Sequence, residues 1–516
     1  MHIYLYGPSG SGKSTVGILL AQLLNLPFLD LDAEIERDTG LTILEIITNQ
    51  GEENFREAES RVLNKCLTEK DMVVALGGGA LLRDANRKLV ERTGQVVFLD
   101  AELSILIKRL EKDHNIRPLL GAGDAKTVAR LMKDREIHYE SFPLRVDASS
   151  PPEQIVAEIQ RQIGRYYLSS MGSGYDVLVK AGGLDRLGSM LKTRLIEGPV
   201  LVVSDSNVGP LYTERVLSSL GEAGYQTSQI IIQAGEEYKT LKTVSSLWRG
   251  CLDADLDRNS TIISLGGGVV NDLVGFVAST FMRGCGWISV PTSLLAMVDA
   301  SIGGKTGIDL PEGKNLVGSF HSPKLVLADP EVLATLPEEE LRAGLGEVVK
   351  HGVIADSILF DLCQQGWKTI SIRLPEVVRR AMAVKVKIVE EDPYETGIRA
   401  ALNFGHTVGH AVEHVSKYSL RHGEAVAIGM IAETRFAERI SVADKGLSAL
   451  LAETLEGIGL PVQIPADLPQ DDLIQAMKGD KKKSAGMIRF ALPVRVGEIE
   501  VGVEVDSLNA VLEDGI

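Results

Sequence analysis

The sequence predicts an α/β protein in three successive parts: a parallel sheet flanked by helices, a second, Rossmann-like α/β domain, and a mainly helical segment. Its 516 residues exceed what one hydrophobic core usually serves, and such a length corresponds to about three domains. Short apolar segments alternate with helical patterns twice along the chain, first within residues 1–165 and again within 176–330. Helical patterns then dominate residues 331–516.

Charge and cysteine content exclude several classes of protein. Asp and Glu number 70 against 54 Lys and Arg, and the net charge of −16 argues against nucleic acid or an anionic membrane as the main partner. The four cysteines are scattered without a CxxC pair, as in reduced cytosolic proteins. No signal-peptide pattern and no uninterrupted apolar run of about 18 residues occur. We therefore expect a cytoplasmic protein that acts on small molecules.

The first glycine loop predicts a nucleotide site. An apolar strand at residues 2–6 leads into Gly7 to Ser14, which match the pattern GxxxxGK[ST]. The residues that follow place apolar side chains at helical spacing, at Val16, Leu19, Leu20, Leu23 and Leu24. In such a strand, loop and helix unit, backbone N–H groups surround phosphate oxygens, Lys13 neutralises the β and γ phosphates, and Ser14 holds Mg²⁺.

Further polar residues follow in the first part of the chain. A strand predicted at residues 28–32 places Asp30 and Asp32 on one face at the carboxyl edge of the sheet, where open α/β sheets bind ligands. One carboxylate can serve the metal and the other the acceptor. Beyond them come Arg56, the strand and turn VVALGGGA (73–80), a lid-like segment at 114–124, and Arg135 with Tyr139.

In this order and at these distances from the glycine loop, the segments resemble shikimate kinase over residues 1–165, so that the first part is expected to be a P-loop kinase domain. The resemblance implies a shikimate site of Asp32, Arg56, Gly78, Gly79 and Arg135. It implies an ATP site of Gly10, Ser11, Gly12, Lys13, Ser14, Thr15 and Arg117, with catalytic roles for Lys13, Asp32 and Arg117. VVALGGG ends without the usual acidic residue, which leaves Asp30 to support Mg²⁺.

A segment rich in Ser and Gly at residues 166–175 predicts a linker, and a second α/β domain follows at 176–330. Its glycine turn, Gly266 to Asp272, comes after a strand and opens an apolar helix. Because Asn271 stands where the third glycine of GxGxxG would be, the motif alone leaves open a dinucleotide site or a bare tight turn. Asp205 ends another predicted strand and is a candidate acceptor for a ribose hydroxyl, with Glu236 and Lys239 as supporting residues.

Four of the nine histidines crowd the stretch 403–424 of the helical part. His406 and His410 are one helical turn apart and can face the same ion or substrate, and His422 arrives from the next segment. Uncharged imidazoles together with a carboxylate suit zinc. On spacing alone, a run of solvated histidines on a helix stays an alternative, because HxxxH is a weak signal.

Read together, LGGGVVNDLVGF, VPTSLLAMVDASIGGKTGID, GLGEVVKHG, RAALNFGHTVGHAVE and HGEAVAIGM resemble 3-dehydroquinate synthase over residues 175–516. The resemblance implies Zn²⁺ (or Co²⁺) on Glu347, His406 and His422, with an ordinary helix-face role for His414. It implies NAD contacts at Asp205, Glu236, Lys239, Gly267, Gly268, Val269, Asp272, Thr292, Ser293, Lys314 and Thr335. It implies a substrate site of Arg283, Asp299, Lys305, Asn315, Lys350, Lys385, Arg399, Asn403, His410 and Lys481, with Asp299, Lys350 and His410 catalytic.

The two resemblances together imply a bifunctional enzyme of the shikimate pathway. One part would phosphorylate shikimate with ATP, and the other would convert 3-deoxy-arabino-heptulosonate 7-phosphate to 3-dehydroquinate with release of phosphate and no net turnover of NAD. We expect a homodimer formed through the synthase part. Two alternatives remain at this point: a metal-dependent polyol dehydrogenase fused to a kinase, which would accumulate NADH, and a nucleotide sensor without catalysis.

Overall fold

The computed structural model describes residues 2–67, 70–112, 125–480 and 488–513. Arg117 and Lys481, for which the sequence predicts roles, lie outside these residues. The chain divides into two compact units, Met1–Tyr167 and Leu168–Ile516, and the division falls within the segment predicted as a linker.

The first unit is built on a five-stranded sheet in which every described pairing is parallel, in the order β2-β3-β1-β4-β5. Its strands are β1 (His2–Tyr6), β2 (Phe28–Asp30), β3 (Val73–Ala75), β4 (Gly94–Asp100) and β5 (Arg145–Asp147). Alternate residues of β1 enter different cores, with Tyr4 and Tyr6 on one face of the sheet and Ile3 and Leu5 on the other. The sheet is therefore covered by apolar side chains on both faces.

The helices of this unit are α1 (Lys13–Leu23), α2 (Leu31–Thr39), α3 (Ile43–Gln50), α4 (Glu52–Cys66), α5 (Asp84–Thr93), α6 (Leu103–Lys112), α7 (Ala125–Glu140) and α8 (Pro152–Ile163). Local sequence explains several boundaries. A capping box between Thr42 and Glu45 begins α3, and Pro152 occupies the first turn of α8. The glycine loop stands between the central strand β1 and α1, as the sequence predicts.

The predicted strand at residues 28–32 is too long. β2 ends at Asp30, whose side chain accepts hydrogen bonds from the backbone amides of Asp32 and Ala33 and so begins α2. Aspartate is a favoured helix N-cap, and the alternating pattern FLDLD conceals this role. Asp32 consequently lies in the first turn of a helix instead of on a strand.

The second unit is built on a larger sheet in the order β6-β7-β14-β11-β10-β8-β9. Its strands are β6 (Arg165–Leu168), within which the boundary between the units falls, β7 (Tyr175–Val179), β8 (Val200–Asp205), β9 (Thr227–Ile232), β10 (Thr261–Gly266), β11 (Gly286–Pro291) and β14 (Leu325–Ala328). The pairings from β7 through β9 are parallel. Two antiparallel hairpins, β12 (Lys305–Leu310) with β13 (Gly313–Phe320) and β15 (Arg489–Arg495) with β16 (Glu498–Glu504), complete its strands among the described residues.

The helices between these strands are α9 (Leu187–Thr193), α10 (Gly209–Glu222), α11 (Leu241–Asp253) and α12 (Gly268–Thr280). Those after the sheet are α13 (Glu338–Ala355), α14 (Ser357–Gln364), α15 (Gly366–Ile372), α16 (Leu374–Glu391), α17 (His406–Val415), α18 (His422–Arg439), α19 (Leu447–Ile458), α20 (Gln470–Asp480) and α21 (Leu508–Leu512). The predicted fold class is confirmed. In the described part of the chain, no helix has the length and apolar character needed to cross a lipid bilayer.

Candidate functional site

A pocket of about 930 Å³ opens in the first unit beside the glycine loop. Its wall contains Lys13 and Ser14 from the loop, both aspartates of the β2–α2 junction, and the glycine turn that follows β3. Lys13 donates to the carbonyl oxygens of Gly7 at 2.8 Å and Pro8 at 2.9 Å. Ser14 donates from Oγ to Asp30 at 2.5 Å, which joins the predicted Mg²⁺ ligand to the carboxylate predicted to support it.

Arg56 lies in the same pocket and is held by a carboxylate that the sequence analysis missed. Both oxygens of the buried Glu59 accept from Arg56, at 2.9 and 3.2 Å. A Cβ on Gly79 would lie 2.6 Å from Nη2 of Arg56, so a side chain there would displace the guanidinium from its present position. The spacing Arg-x-x-Glu on one helix was the available signal, because residues three apart on a helix are neighbours.

Arg135 reaches the same turn from α7. It donates to the carbonyl oxygen of Gly78 at 3.0 Å, and the hydroxyl of Tyr139 donates to that oxygen at 2.9 Å. A Cβ on Gly77 would lie 3.0 Å from both Asp32 Oδ1 and Glu59 Oε1. The structure therefore brings the five predicted shikimate-site residues to one pocket wall, with two arginines and one aspartate available to an anionic polyol.

In the second unit, the strand order places a topological switch point between β8 and β10. The chain leaves β8 towards β9 on one side and continues from β10 to β11 on the other, and open parallel sheets bind ligands at such a point. Asp205 ends β8, Gly266 ends β10, and Gly267 lies between β10 and α12. One oxygen of Asp205 accepts from the backbone amides of Asn207 and Val208, which orients this carboxylate at the crevice.

Asn271 explains the departure from the GxGxxG pattern. Its buried side chain accepts from Ser264 at 2.7 Å and Ser289 at 2.6 Å, and donates to the carbonyl oxygens of Gly266 and Gly267. The amide therefore fixes α12 against two strands, where the third glycine of the common motif would allow close packing. The backbone at the start of α12, from Gly267 to Val269, is half-buried.

A cluster around Lys239 gathers several residues predicted to contact a dinucleotide. Its Nζ contacts Asp272 at 2.6 Å, donates to Asn315 at 2.6 Å, and lies 3.9 Å from Glu236. Asn315, which the sequence predicts to contact the substrate, thus shares Lys239 as a partner with Asp272, which the sequence predicts to contact the dinucleotide. Ser293 lies beside Gly267, where a Cβ would be 3.6 Å from its Oγ. Thr335 stands in hydrogen-bond contact with Tyr212, at 2.6 Å.

Glu347, His406 and His422 converge from three helices. One ligand atom from each lies within 4.8 Å of the others. Glu347 is fully buried, and its Oε1 lies 3.4 Å from the Nε2 atoms of both His406 and His422. Its carboxylate also contacts Lys350, yet neither oxygen has a hydrogen bond of regular geometry. A buried carboxylate in this condition, facing two imidazole nitrogens, fits a divalent metal ion of the zinc class.

Glycines beside these ligands let the helix backbones touch. A Cβ on Gly423, next to His422, would overlap the carbonyl oxygen of Ala343 on α13. A Cβ on Gly346, next to Glu347, would overlap the carbonyl oxygen of Gly423. The close crossing of α13 and α18 therefore depends on glycine at both positions, and it brings the two ligands within reach of one ion.

The first turn of α17 is capped by a carboxylate from α18. Glu433 is fully buried and accepts from the backbone amides of Gly405 at 2.7 Å and Val408 at 3.2 Å. Gly405, in the left-handed conformation, precedes His406. A helix leaves its first amides without internal partners, and the two oxygens of Glu433 each accept from one amide at this end of α17.

Electrostatics distinguish the three ligands. Burial favours the neutral form of Glu347, but Lys350 and the two histidines outweigh it and hold its pKa well below the ordinary value. Burial and Lys350 depress the pKa of His406, which keeps its nitrogens available for coordination. Burial also opposes protonation of His422, yet the nearby carboxylates of Glu347 and Glu413 raise its pKa to about 9. A bound cation would displace that proton.

Cationic side chains surround this cluster. Lys385 lies 2.5 Å from Asp299, and burial lowers the pKa of that lysine. Lys350 is fully buried and donates to the carbonyl oxygen of Leu402 at 2.8 Å. Arg399 is buried as well and contacts the carbonyl oxygen of Gly303 at 3.5 Å. These groups fit an anionic substrate next to the metal position.

Glu395 joins two predicted substrate residues and was not predicted itself. It accepts from Asn403 at 2.9 Å and contacts Lys305, so a carboxylate of the protein pairs with this predicted substrate-binding cation. Sequence spacing alone gave no signal for it. Arg283 is exposed and, among the described residues, makes no hydrogen bond or ion pair with the other predicted substrate residues.

The remaining two histidines of α17 differ in position. The His410 ring centroid lies 5.2 Å from that of His406 and 5.9 Å from that of His422, so His410 borders the metal cluster. His414 is exposed, and its ring stands 6.3 Å from Tyr418.

Comparison with protein families assigns both units. Residues 9–164 match the shikimate kinase family, residues 229–343 match the N-terminal family of 3-dehydroquinate synthase, and residues 344–483 match its C-terminal family. The 3-dehydroquinate synthase of Symbiobacterium thermophilum is 45% identical over 337 residues, which cover 64% of this chain and 94% of that protein. The Synechocystis 3-dehydroquinate synthase is 44% identical over 336 residues, covering 64% of this chain and 93% of its own.

One similar solved structure contains a bound cofactor and a bound metal ion. The 2-epi-5-epi-valiolone synthase of Streptomyces hygroscopicus subsp. jinggangensis, with NAD⁺ and Zn²⁺ bound, has a TM-score of 0.59 and 29% identity. The match covers 66% of this chain and 95% of that one.

Proposed function

This chain belongs to the 3-dehydroquinate synthase family and carries a shikimate kinase domain ahead of it, so it is a bifunctional enzyme of the shikimate pathway. We propose that Glu347, His406 and His422 hold the metal ion of the synthase. The observation that carries the proposal is their convergence from three helices around a buried carboxylate without a regular hydrogen bond. Zn²⁺ suits one carboxylate and two imidazoles, and Co²⁺ accepts the same ligands.

The synthase residues divide the work around that position. When bound, the metal ion polarises the substrate's hydroxyl groups and NAD⁺ accepts and later returns a hydride. Lys350, Lys385 and Arg399 would bind and orient the sugar-acid phosphate, because all three are buried cations, and the first two contact Glu347 and Asp299 respectively. Asp299 orients Lys385, and His410 lies at the border of the cluster where it can exchange a proton with substrate.

The dinucleotide would lie along the switch point of the second sheet. Two observations support this placement: the glycine turn opens α12 beside β10, and Asp205 ends the neighbouring strand β8. Gly267, Gly268 and Val269 would face the pyrophosphate, and Asp205 would accept from a ribose hydroxyl. Lys239 and Asp272, which form an ion pair, would line the opposite wall of the dinucleotide crevice. Glu236, Thr292, Ser293, Lys314 and Thr335 complete the proposed set.

In the kinase unit, we propose that the pocket beside the glycine loop binds ATP and shikimate together. Lys13 would move from the loop carbonyl groups to the phosphates, while Ser14 and Asp30 hold Mg²⁺. Arg56 and Arg135 would bind the carboxylate of shikimate, and Asp32 would accept the proton of the attacking hydroxyl. The transferred phosphoryl group needs positive charge and alignment more than a nucleophilic side chain.

The test of the synthase assignment follows two signals in one cuvette. With 3-deoxy-arabino-heptulosonate 7-phosphate, Zn²⁺ and trace NAD⁺, the full chain is expected to release inorganic phosphate without lasting absorbance of NADH. Glu347→Gln should abolish that release. Net NADH without phosphate would instead indicate a polyol dehydrogenase and overturn the assignment.

We also propose a cytoplasmic homodimer formed through the synthase unit. Exposed apolar side chains on the β12–β13 hairpin and nearby, at Leu316, Val317, Phe320 and Tyr394, support a covered surface. The described cysteines Cys251, Cys285 and Cys363 are free and buried, which fits a reducing compartment. Sedimentation analysis should give twice the chain mass of 55.7 kDa. A species with the mass of one chain at micromolar concentration would refute the dimer.

A further inference from the structure

Glu413 connects the metal cluster to the hairpin that faces the dinucleotide crevice. It lies on α17 and is nearly buried, with 8% of the residue exposed. Oε2 lies 3.3 Å from Nδ1 of His422, and Oε1 accepts from Nζ of Lys314 at 3.0 Å. One carboxylate therefore contacts both a proposed metal ligand and a proposed NAD contact.

The two nitrogens of His422 face different carboxylates. Nε2 lies 3.4 Å from Glu347, while Nδ1 points to Glu413. An imidazole that donates from one nitrogen presents the lone pair of the other, and metal-bound histidines commonly use a carboxylate in this way to fix the tautomer and the ring orientation. The contact with Glu413 thus directs Nε2 of His422 towards Glu347 and the metal position.

Glu413 has a different relation to the metal from that of Glu347. Its oxygens also lie within 4.8 Å of ligand atoms of His410 and His422, so it is a conceivable ligand of its own. However, the ammonium group of Lys314 already lies against Oε1, and it would repel a second cation at that point. Lys314 also rests over the ring of Tyr418, at 4.2 Å, which holds the ammonium group in place.

We propose that Glu413 is a positioning residue that sets the ring of His422 for metal binding and ties it to Lys314, so that the metal site and the dinucleotide site are coupled through one carboxylate. The proposal rests on the assignment of Glu347, His406 and His422 as metal ligands. It adds Glu413 to the residues that support the metal site, and it links the binding of the metal ion to the binding of the dinucleotide. Because the carboxylate contacts one proposed residue of each site, its loss weakens the binding of both ligands.

The test measures metal and NAD⁺ binding in the full chain, without catalysis. Metal-free protein competes with a chromophoric chelator for Zn²⁺, and NAD⁺ binding is followed by calorimetry. For Glu413→Gln, we expect Zn²⁺ affinity to fall about 10-fold to 100-fold, as for other residues that orient metal ligands. NAD⁺ affinity should fall about fivefold. Lys314→Met should weaken NAD⁺ binding but change Zn²⁺ affinity by less than about threefold, because the contact with His422 remains.

Controls separate the possible failures. Glu438→Gln, on α18, removes a carboxylate that accepts from Ser448, and it should change neither affinity. Glu347→Gln and His422→Asn should lose Zn²⁺ binding; if they bind it as the unaltered chain does, the metal assignment itself is wrong. If Glu347→Gln and His422→Asn lose Zn²⁺ binding while the Zn²⁺ affinity of Glu413→Gln stays within twofold of that of the unaltered chain, only the positioning role is refuted.

A spectroscopic readout distinguishes positioning from ligation. With Co²⁺ bound, Glu413→Gln should keep the visible absorption bands of the unaltered chain at saturating metal, because the three ligands are unchanged. A changed band pattern at saturation would show that Glu413 coordinates the ion directly and would overturn the proposal. Near-ultraviolet circular dichroism of both variants checks that the tertiary structure is intact.

Discussion

The carboxylate of Glu433 accepts a hydrogen bond from the backbone amide of Gly405, at 2.7 Å, inside the core of the synthase unit. Gly405 immediately precedes His406, and Glu433 lies on the helix that His422 begins. A buried carboxyl group on one ligand-bearing helix therefore caps the other. The contact orders the metal cluster without touching the metal position.

Glu433→Gln should therefore lower both stability and metal affinity. The amide keeps only one acceptor oxygen, so that one of the two buried backbone N–H groups loses its partner, at a cost of about 1–3 kcal/mol. Thermal unfolding of the metal-free chain measures the loss, and chelator competition measures the affinity. Glu438→Gln on the same helix is the matched control. Unchanged values in both measurements would contradict the capping role.

Single substitutions should separate the two activities. Glu347→Gln is expected to reduce phosphate release at least about 100-fold and to leave ATP-dependent phosphorylation of shikimate unchanged, because the residue lies in the second compact unit. Lys13→Met should do the reverse, since it removes a cation from the phosphate-binding loop. Both rates are measured on the same preparation. Loss of both activities in either variant would argue against independent sites.

Two neighbouring histidines of α17 offer an internal comparison. His410→Ala should reduce phosphate release about 100-fold or more, because the ring borders the metal cluster and is the proposed proton carrier. His414→Ala, one turn further along, should change the rate less than about twofold, since exposed substitutions away from a site have small effects. Equal effects would remove the distinction between the two residues.

Glu59 should make the stability of the kinase unit depend on pH. Burial raises its pKa from 4.5 to about 7, although Arg56 opposes the shift. Between these values the folded state binds more protons than the unfolded state, so the free energy of unfolding falls as pH rises from 4.5 to about 7 and is then constant. Glu59→Gln does not titrate, and relative to the unaltered chain it should gain on the order of 1–3 kcal/mol between pH 5 and pH 8.

Hydrogen exchange of peptides from α4 at the two pH values gives the opening free energies, after correction for intrinsic exchange rates. Glu57→Gln, an exposed carboxylate on the same helix, is the control and should follow the unaltered chain. Parallel pH profiles for the unaltered chain and Glu59→Gln would show that Glu59 is already ionised at pH 5.

The sequence predicted the parts of the molecule in which local pattern and chemistry coincide. The glycine loop, the strands that bear Asp205 and Gly266, and the helical spacing of His406 and His410 are local signals, and the structure contains the elements they predict. Asp30 shows where local pattern fails. Asp30 and Asp32 alternate with apolar residues, and this pattern predicts a strand. The Asp30 side chain instead caps the helix that follows, so the strand ends there.

Residues that act through long-range contacts gave little or no signal. Glu433 reaches an amide 28 positions earlier, and Glu395 joins Lys305, 90 positions earlier. Only the tertiary packing decides such pairs, and acidic residues are common enough on protein surfaces to be taken for solvated ones. Glu413 was hidden in the same way, between two histidines that attracted attention for their own spacing.

The gathering of all three proposed metal ligands in one compact unit has a consequence for the cell. A fusion fixes the number of kinase and synthase units at one to one, whatever the level of expression. The ratio of their activities is not fixed in the same way, because scarcity of zinc would silence the synthase while leaving the kinase able to work with ATP. Intracellular metal supply would then determine which of the two steps limits the pathway.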